Sequence, residues 1–268
     1  MGRSSYTSRG ISAAPNATTL HPTLLHLGPF VLPTFGLLAA IGLMAALTLS
    51  LRTAPLAGLS PDRIWNAGLF TLLSAFVLSR LLLVLTNLHT FLSYPILLLA
   101  VPSLTPLGIL LTGFAAAIYL RLNGLPLLAT LDAWAPCATL VWVFLALGHF
   151  AEGSDPGMIT SVPWAIPSST GLTRLHPIAL YAAVLAAILT YVLFRQLPRR
   201  RNPGDTAALA LASTGIVQFL LSFLRQPALF GTPLGDILDP IQWAALGMVL
   251  AAGLILITQP RRPVSHAV

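Results

Sequence analysis

The chain has 268 residues, 56% of them hydrophobic and only 8% charged; 14 basic against seven acidic residues give a net charge of +7. Soluble domains carry about three times that charged share, so these few charges cannot build a water-facing exterior and a soluble fold is excluded. Every basic residue is an arginine, and most flank hydrophobic runs instead of interleaving with aromatics, which excludes a nucleic-acid-binding surface.

Residues 1–28 hold Arg3 and Arg9 and are broken by Pro15, Asn16, His21 and Pro22. They lack the apolar stretch and cleavage site of a signal peptide, and are expected to form a polar extracytoplasmic tail. Hydrophobic runs of spanning length, about twenty residues, then follow near 29–51, 64–87, 104–122, 130–150, 177–195, 206–224 and 239–258. The expectation is an all-α polytopic bundle of about seven transmembrane helices over 29–258, followed by a cytoplasmic tail, 259–268. A shorter run at 91–101, interrupted by Pro95, reads as re-entrant or interfacial, with an eighth span as the alternative.

Orientation follows from arginine placement, because cytoplasmic loops retain positive charge. With the carboxy terminus inside, the inner segments hold Arg52, Arg63, Arg121, Arg195, Arg199, Arg200, Arg201, Arg261 and Arg262, and the outer ones only Arg3, Arg9, Arg174 and Arg225. The amino terminus is therefore expected outside. No internal repeat is present, so a repeat-built transporter gains no support. The single cysteine, Cys137, excludes an internal disulfide, a thiolate zinc cluster and a CxxC redox pair.

Ionisable groups inside a span require a partner or a function, since a mid-membrane charge costs about 2.5–3.5 kcal/mol. Arg80, in the second span, either snorkels to the outer interface or faces the interior as a phosphate or carboxylate site. Asp132, at the inner start of the fourth span, reads as a helix-start group stabilised by free backbone N–H groups. The fourth span ends in Gly148-His149-Phe150-Ala151-Glu152-Gly153-Ser154-Asp155. His149 and Glu152 fall three apart on one helix face, where a carboxylate can orient an imidazole for proton transfer, or where the helix simply ends in polar residues and a glycine. The pair is no metal signature, and no cofactor is expected. His176-Pro177 opens the fifth span with Tyr181 one turn inside, and the sixth carries Gln218 and Ser222 before Arg225. Four of these residues, His149, Glu152, His176 and Arg225, share the outer level, with Arg80 below, and suit an anionic, phosphate-bearing amphiphile.

From His21 to about Thr258 the sequence resembles the prolipoprotein diacylglyceryl transferase family. The likeness is carried by His21-Pro22, Leu27-Gly28-Pro29-Phe30, Phe35-Gly36-Leu37, residues 57–63, Ser79-Arg80, Asp132-Ala133-Trp134-Ala135-Pro136, Gly148 with Phe150 and Gly153, His176-Pro177 with Leu180-Tyr181, Phe223-Leu224-Arg225-Gln226-Pro227, and Gln242-Trp243. The resemblance implies a multi-pass enzyme of the bacterial inner (plasma) membrane. Its activity would be to move the diacylglyceryl group of phosphatidylglycerol to a lipobox cysteine thiol of a prolipoprotein, leaving glycerol 1-phosphate. It implies His149 with Glu152, or His176, as the groups that take the thiol proton. Arg80, Arg225, Gly153, Tyr181, Gln218 and Gln242 would bind the phospholipid.

Several family positions are altered. Pro106-Leu107-Gly108 stands where members carry His-Gly-Gly, and Phe35 replaces a tyrosine. Residues 146–153 lack the arginine and both asparagines of the family pattern, Gln218 and Ser222 replace an arginine and a glutamate, and Ala182 replaces a glutamate. These losses motivate an alternative: a catalytically inactive relative that binds phospholipid or lipoprotein precursor.

Overall fold

The computed structural model describes residues 23–27, 30–87, 105–168, 171–226 and 238–259. The expected short segment at 91–101, most of the amino-terminal tail and nearly all of the carboxy-terminal tail lie outside these. A backbone hairpin of β1 (Thr23–Leu27) and β2 (Phe30–Pro33) precedes α1 (Thr34–Leu56), α2 (Pro61–Thr86), α3 (Pro106–Leu122) and α4 (Leu127–Glu152). Strands β3 (Ile166–Pro167) and β4 (Arg174–Leu175) pair antiparallel, and α5 (Ile178–Gln196), α6 (Asp205–Ser222) and α7 (Pro240–Thr258) complete the chain.

Among the described residues seven helices stand where seven runs were expected. Six are long and apolar enough to cross a membrane; α3, at 17 residues, sits at the lower limit of a span. The largest shift is in the first, expected from 29 but helical only from Thr34 to Leu56. Proline fixes φ and lacks an N–H donor, so helix growth resumes only past Pro33, a restriction that hydropathy does not register. Proline also opens other helices, where its missing donor costs nothing: Pro61 in α2, Pro106 in α3 and Pro240 in α7. Thr105 caps α3 through its Oγ1, which accepts from the Gly108 N–H at 3.1 Å. Gly153, with φ of 66°, ends α4, a left-handed conformation suited to glycine.

The buried interior is mostly alanine, including Ala54, Ala67, Ala133, Ala183, Ala186 and Ala208, whereas Leu110, Leu250 and Ile257 face outward. This inversion is what lipid demands: large apolar chains gain nothing from hiding, and small residues let helices approach closely. Helix α4 is central, packing on α1, α5 and α6. Its approach to α1 uses glycine from both sides. A Cβ on Gly42 would lie 2.6 Å from Phe144 Cβ, and one on Gly148 would lie 2.8 Å from Phe35 Cδ2. On α6, a Cβ at Gly215 would fall 2.7 Å from the Ala245 carbonyl oxygen of α7.

The end of the bundle where α4 and α6 begin is tied by Asp132, which is fully buried. Its Oδ2 accepts from Arg200 Nη1 at 2.8 Å and from the Gly204 N–H at 2.7 Å, and its Oδ1 from the Ala207 N–H at 2.8 Å. Arg200 Nη2 donates to the Ala57 carbonyl at 2.6 Å. The sequence reading that Asp132 satisfies free backbone N–H groups needs one correction: those groups open α6, not its own helix. Arg200, expected only as a topological anchor, is turned into the protein by the same contact.

Candidate functional site

The opposite end of the bundle gathers most of the residues singled out in the sequence. After α4, the chain crosses between the end of α6 and the entry to α5. Met158 N–H donates to the Leu224 carbonyl at 2.7 Å, and His176 N–H to the Met158 carbonyl at 3.1 Å. Gly157 forms a bridge with Arg225, and Ile159 with Leu175. A Cβ on Gly157 would meet the His176 carbonyl oxygen at 2.3 Å, so only glycine allows residues 156–159 to lie between His176 and Arg225. Backbone pairing therefore joins the loop that carries His176 and the loop that carries Arg225 to the same short segment, in one small, sheet-like patch.

Within that patch Arg225 is half-buried, and its Nη2 pairs with Asp155 Oδ2 at 3.0 Å. Its Nε is buried with no hydrogen-bond partner among the described residues, leaving a donor for an anion. His176 Nδ1 lies 3.3 Å from the Tyr181 hydroxyl, which accepts from Trp164 Nε1 at 2.6 Å. Indole can only donate, so the tyrosine oxygen accepts from Trp164; in the tautomer with the proton on Nδ1 it accepts from His176 as well, which leaves Nε2 as the basic nitrogen. Trp164 was missed in the sequence because a lone aromatic in a polar loop has no local signature. Its contact to a residue 17 positions away exists only in the fold.

His149 is exposed at the end of α4, its ring 4.8 Å from that of Phe35. Its Nδ1 is 2.8 Å from Ser154 Oγ. Glu152, three residues on, makes no hydrogen bond or ion pair with a described residue, so the hydroxyl of Ser154, not the expected carboxylate, orients this ring. For Nε2 to act as a base, Nδ1 must carry the proton and donate it to Ser154. Gly153 provides the turn that brings Ser154 back, its following N–H donating to the His149 carbonyl at 3.2 Å.

The remaining residues are placed apart from this patch. Gln242 is buried and doubly engaged, its Nε2 donating to Ser222 Oγ at 3.0 Å and its Oε1 accepting from the Asp239 N–H at 3.1 Å. It closes a capping box on α7 and joins α6 to α7. Gln218 lies one turn deeper on α6 and lines a cavity between α4, α6 and α7. Arg80 is buried on α2, a helix that packs on α1 and α3. Next to it Ser79 faces the start of α3, where a Cβ on Gly108 would lie 3.9 Å from the Ser79 Cα. Arg174 spends its guanidinium locally, Nη2 donating to the Pro163 and Ala165 carbonyls.

Two histidines and an arginine carried at one end of a lipid-facing bundle suit nucleophile activation near a phosphate-bearing lipid. Comparison with known proteins points the same way. The family model for prolipoprotein diacylglyceryl transferase matches residues 22–258. A phosphatidylglycerol–prolipoprotein diacylglyceryl transferase of Geobacter sulfurreducens is 31% identical over 220 residues, covering 78% of this chain and 83% of that protein. Proteins of the same name from Vibrio vulnificus strain YJ016 and Vibrio atlanticus are 30% and 28% identical, the first covering 93% of this chain and 92% of its own length, the second 95% of both. With a match over nearly its whole length, the chain belongs to the prolipoprotein diacylglyceryl transferase family.

Proposed function

We propose that the protein transfers the diacylglyceryl group of phosphatidylglycerol to the cysteine thiol of a prolipoprotein lipobox. It would act in the bacterial inner membrane with its amino terminus outside and its carboxy terminus in the cytoplasm. The observation that carries the reading is the patch that holds His176 and Arg225 around Gly157, in a chain matched to the family from residue 22 to 258. The orientation rests on the arginines, nine of them in the segments assigned to the cytoplasm.

The reaction is an alkyl transfer from a phosphate leaving group. A base removes the thiol proton, because the thiolate is the competent nucleophile. The sulfur then attacks the glyceryl carbon that bears the phosphate. A C–S bond forms as the C–O bond breaks, and the electron pair departs on the phosphate as glycerol 1-phosphate. His149, its ring held by Ser154 and with Glu152 three residues on, or His176 takes the proton. Arg225, steadied by Asp155, and Arg80 neutralise the phosphate as charge develops on it. Tyr181 contacts His176 and Gly153 turns Ser154 back to His149, while Gln218 and Gln242, deeper in the bundle, would extend the phospholipid site inward. Much of the gain comes from holding thiol and carbon in line.

A second reading, a relative that binds lipid or lipoprotein precursor without turnover, is favoured by two features: Arg225 is already paired with Asp155, and Gln218 is neutral where the family carries an arginine. One assay separates the two. Purified protein given phosphatidylglycerol and a lipobox peptide is expected to add the diacylglyceryl mass to the peptide cysteine. Folded protein that retains lipid but yields no adduct would replace the transferase reading with the binding one.

A further inference from the structure

Past the end of α4 the chain builds a small sheet. Residues 157–160 pair with 224–225 on one side and with 174–176 on the other, and β3 pairs with β4 beside them. Two side-chain contacts tie this sheet together and to the bundle: Arg174 Nη2 donates to the Pro163 and Ala165 carbonyls, and Trp164 Nε1 donates at 2.6 Å to the hydroxyl of Tyr181, in the first turn of α5. Its large apolar side chains are nevertheless turned outward. Ile159 is 71% exposed, Trp164 62%, and Leu172, in the turn between β3 and β4, 87%; Met158 is exposed as well.

The composition of the same segment is unlike that of a loop standing in water. Between residues 157 and 175 there is no acidic residue, and the single basic one, Arg174, has its guanidinium turned onto carbonyls of its own loop. A cluster of exposed apolar side chains with no charge among them marks contact with a membrane or with another protein. Two observations favour the membrane. The patch continues a lipid-facing surface, because Tyr181, which holds Trp164, stands beside Leu180, Val184 and Ile188, the outward stripe of α5 at every fourth residue. Tryptophan, moreover, is the side chain that suits headgroup level, with its ring in apolar surroundings and its N–H bonded, and the Trp164 N–H is already bonded to Tyr181 while its ring is free.

We infer that the sheet after α4 is a membrane anchor. Ile159, Trp164 and Leu172 enter the leaflet at this end of the bundle, about 5–10 Å into the boundary between headgroups and acyl chains. The partner is the lipid surface itself, not a lipid held in a binding site. Because backbone pairing joins the same sheet to the loops that carry His176 and Arg225, the anchor also holds those two residues at headgroup depth. The inference stands on exposure, composition and the contact to α5, so it holds whether or not the protein performs the transfer.

The test uses the full chain in nanodiscs that contain phosphatidylglycerol. Nitroxide labels are placed singly at Ile159→Cys and Leu172→Cys in a Cys137→Ser background, and their relaxation by oxygen and by a water-soluble nickel chelate gives their depth. Both are expected about 5–10 Å below the lipid phosphates, with oxygen the stronger relaxant, as at a Leu250→Cys reference on the outward face of α7. A second measurement uses the unaltered protein and depends on no variant: under hydroxyl-radical footprinting Met158 should oxidise as slowly as Met44, which faces outward from α1. Labels reached more readily by nickel than by oxygen, or Met158 oxidised several-fold faster than Met44, overturn the anchor. Shielding that appears only when a lipobox peptide is added overturns it too, and assigns the patch to a polypeptide instead of the bilayer.

Discussion

Replacing Asp132 by alanine removes the acceptor that joins three parts of the chain. Its carboxylate takes Arg200 Nη1 at 2.8 Å, the Gly204 N–H at 2.7 Å and the Ala207 N–H at 2.8 Å. The Asp132 side chain is fully buried and that of Arg200 is 16% exposed, so water can compensate little on the arginine side and not at all at the helix start. Breaking a buried ion pair by removing one partner costs about 3–5 kcal/mol, and that is the loss expected for Asp132→Ala. The reciprocal change, Arg200→Met, leaves the carboxylate with two backbone donors and the favourable end of the α6 dipole, an interaction of up to about 2 kcal/mol. Its cost should be smaller, about 1–3 kcal/mol by the same comparison. Unfolding of each variant by SDS in mild detergent, followed by helical circular dichroism, measures both. The reasoning fails if Asp132→Ala unfolds within about 1 kcal/mol of the parent, below the range for a buried pair, or if Arg200→Met is the more damaging.

Four further outcomes are expected. Gly148→Ala would place a Cβ 2.8 Å from Phe35 Cδ2 and 3.3 Å from its Cα, forcing α1 and α4 apart at a cost of about 1–3 kcal/mol; SDS unfolding reads this directly, and an unchanged midpoint would show that Phe35 can move aside. Gly157→Ala would put a Cβ 2.3 Å from the His176 carbonyl and should lower transfer at least tenfold without loss of helical content, since it separates His176 from Arg225. Transfer at the parent rate would detach the patch from the reaction. Arg225→Ala is expected to lower kcat/KM for phosphatidylglycerol about a hundredfold, in line with removal of one charge-stabilising group. Asp155→Asn should cost less than tenfold, because a half-exposed ion pair contributes about 1 kcal/mol or less; equal losses would mean that Asp155 itself takes part in the chemistry.

The sequence by itself determined that the chain lives in a bilayer, where its helices lie to within a few residues, and that its polar residues collect at one level. These are local properties. A run of twenty apolar residues can hardly be anything but a span, and alternating spans put every second loop at the same face, so His149, Glu152, His176 and Arg225 had to share one end. The second and third helices, expected from near 64 and 104, begin at Pro61 and Pro106, where proline follows a small polar residue.

What only the tertiary structure decided is which of these residues meet. A helix that is apolar all round does not disclose which face turns inward, because lipid and protein interior are equally apolar to it. Inward faces are chosen here by close backbone approach at Gly42, Gly148 and Gly215, which local periodicity does not reveal. From that choice follow contacts between residues far apart in the chain: Asp132 with the start of α6, Arg225 with Asp155, Gln242 with Ser222, and Trp164 with Tyr181 beside His176. The same choice leaves Gln218 lining a cavity between α4, α6 and α7.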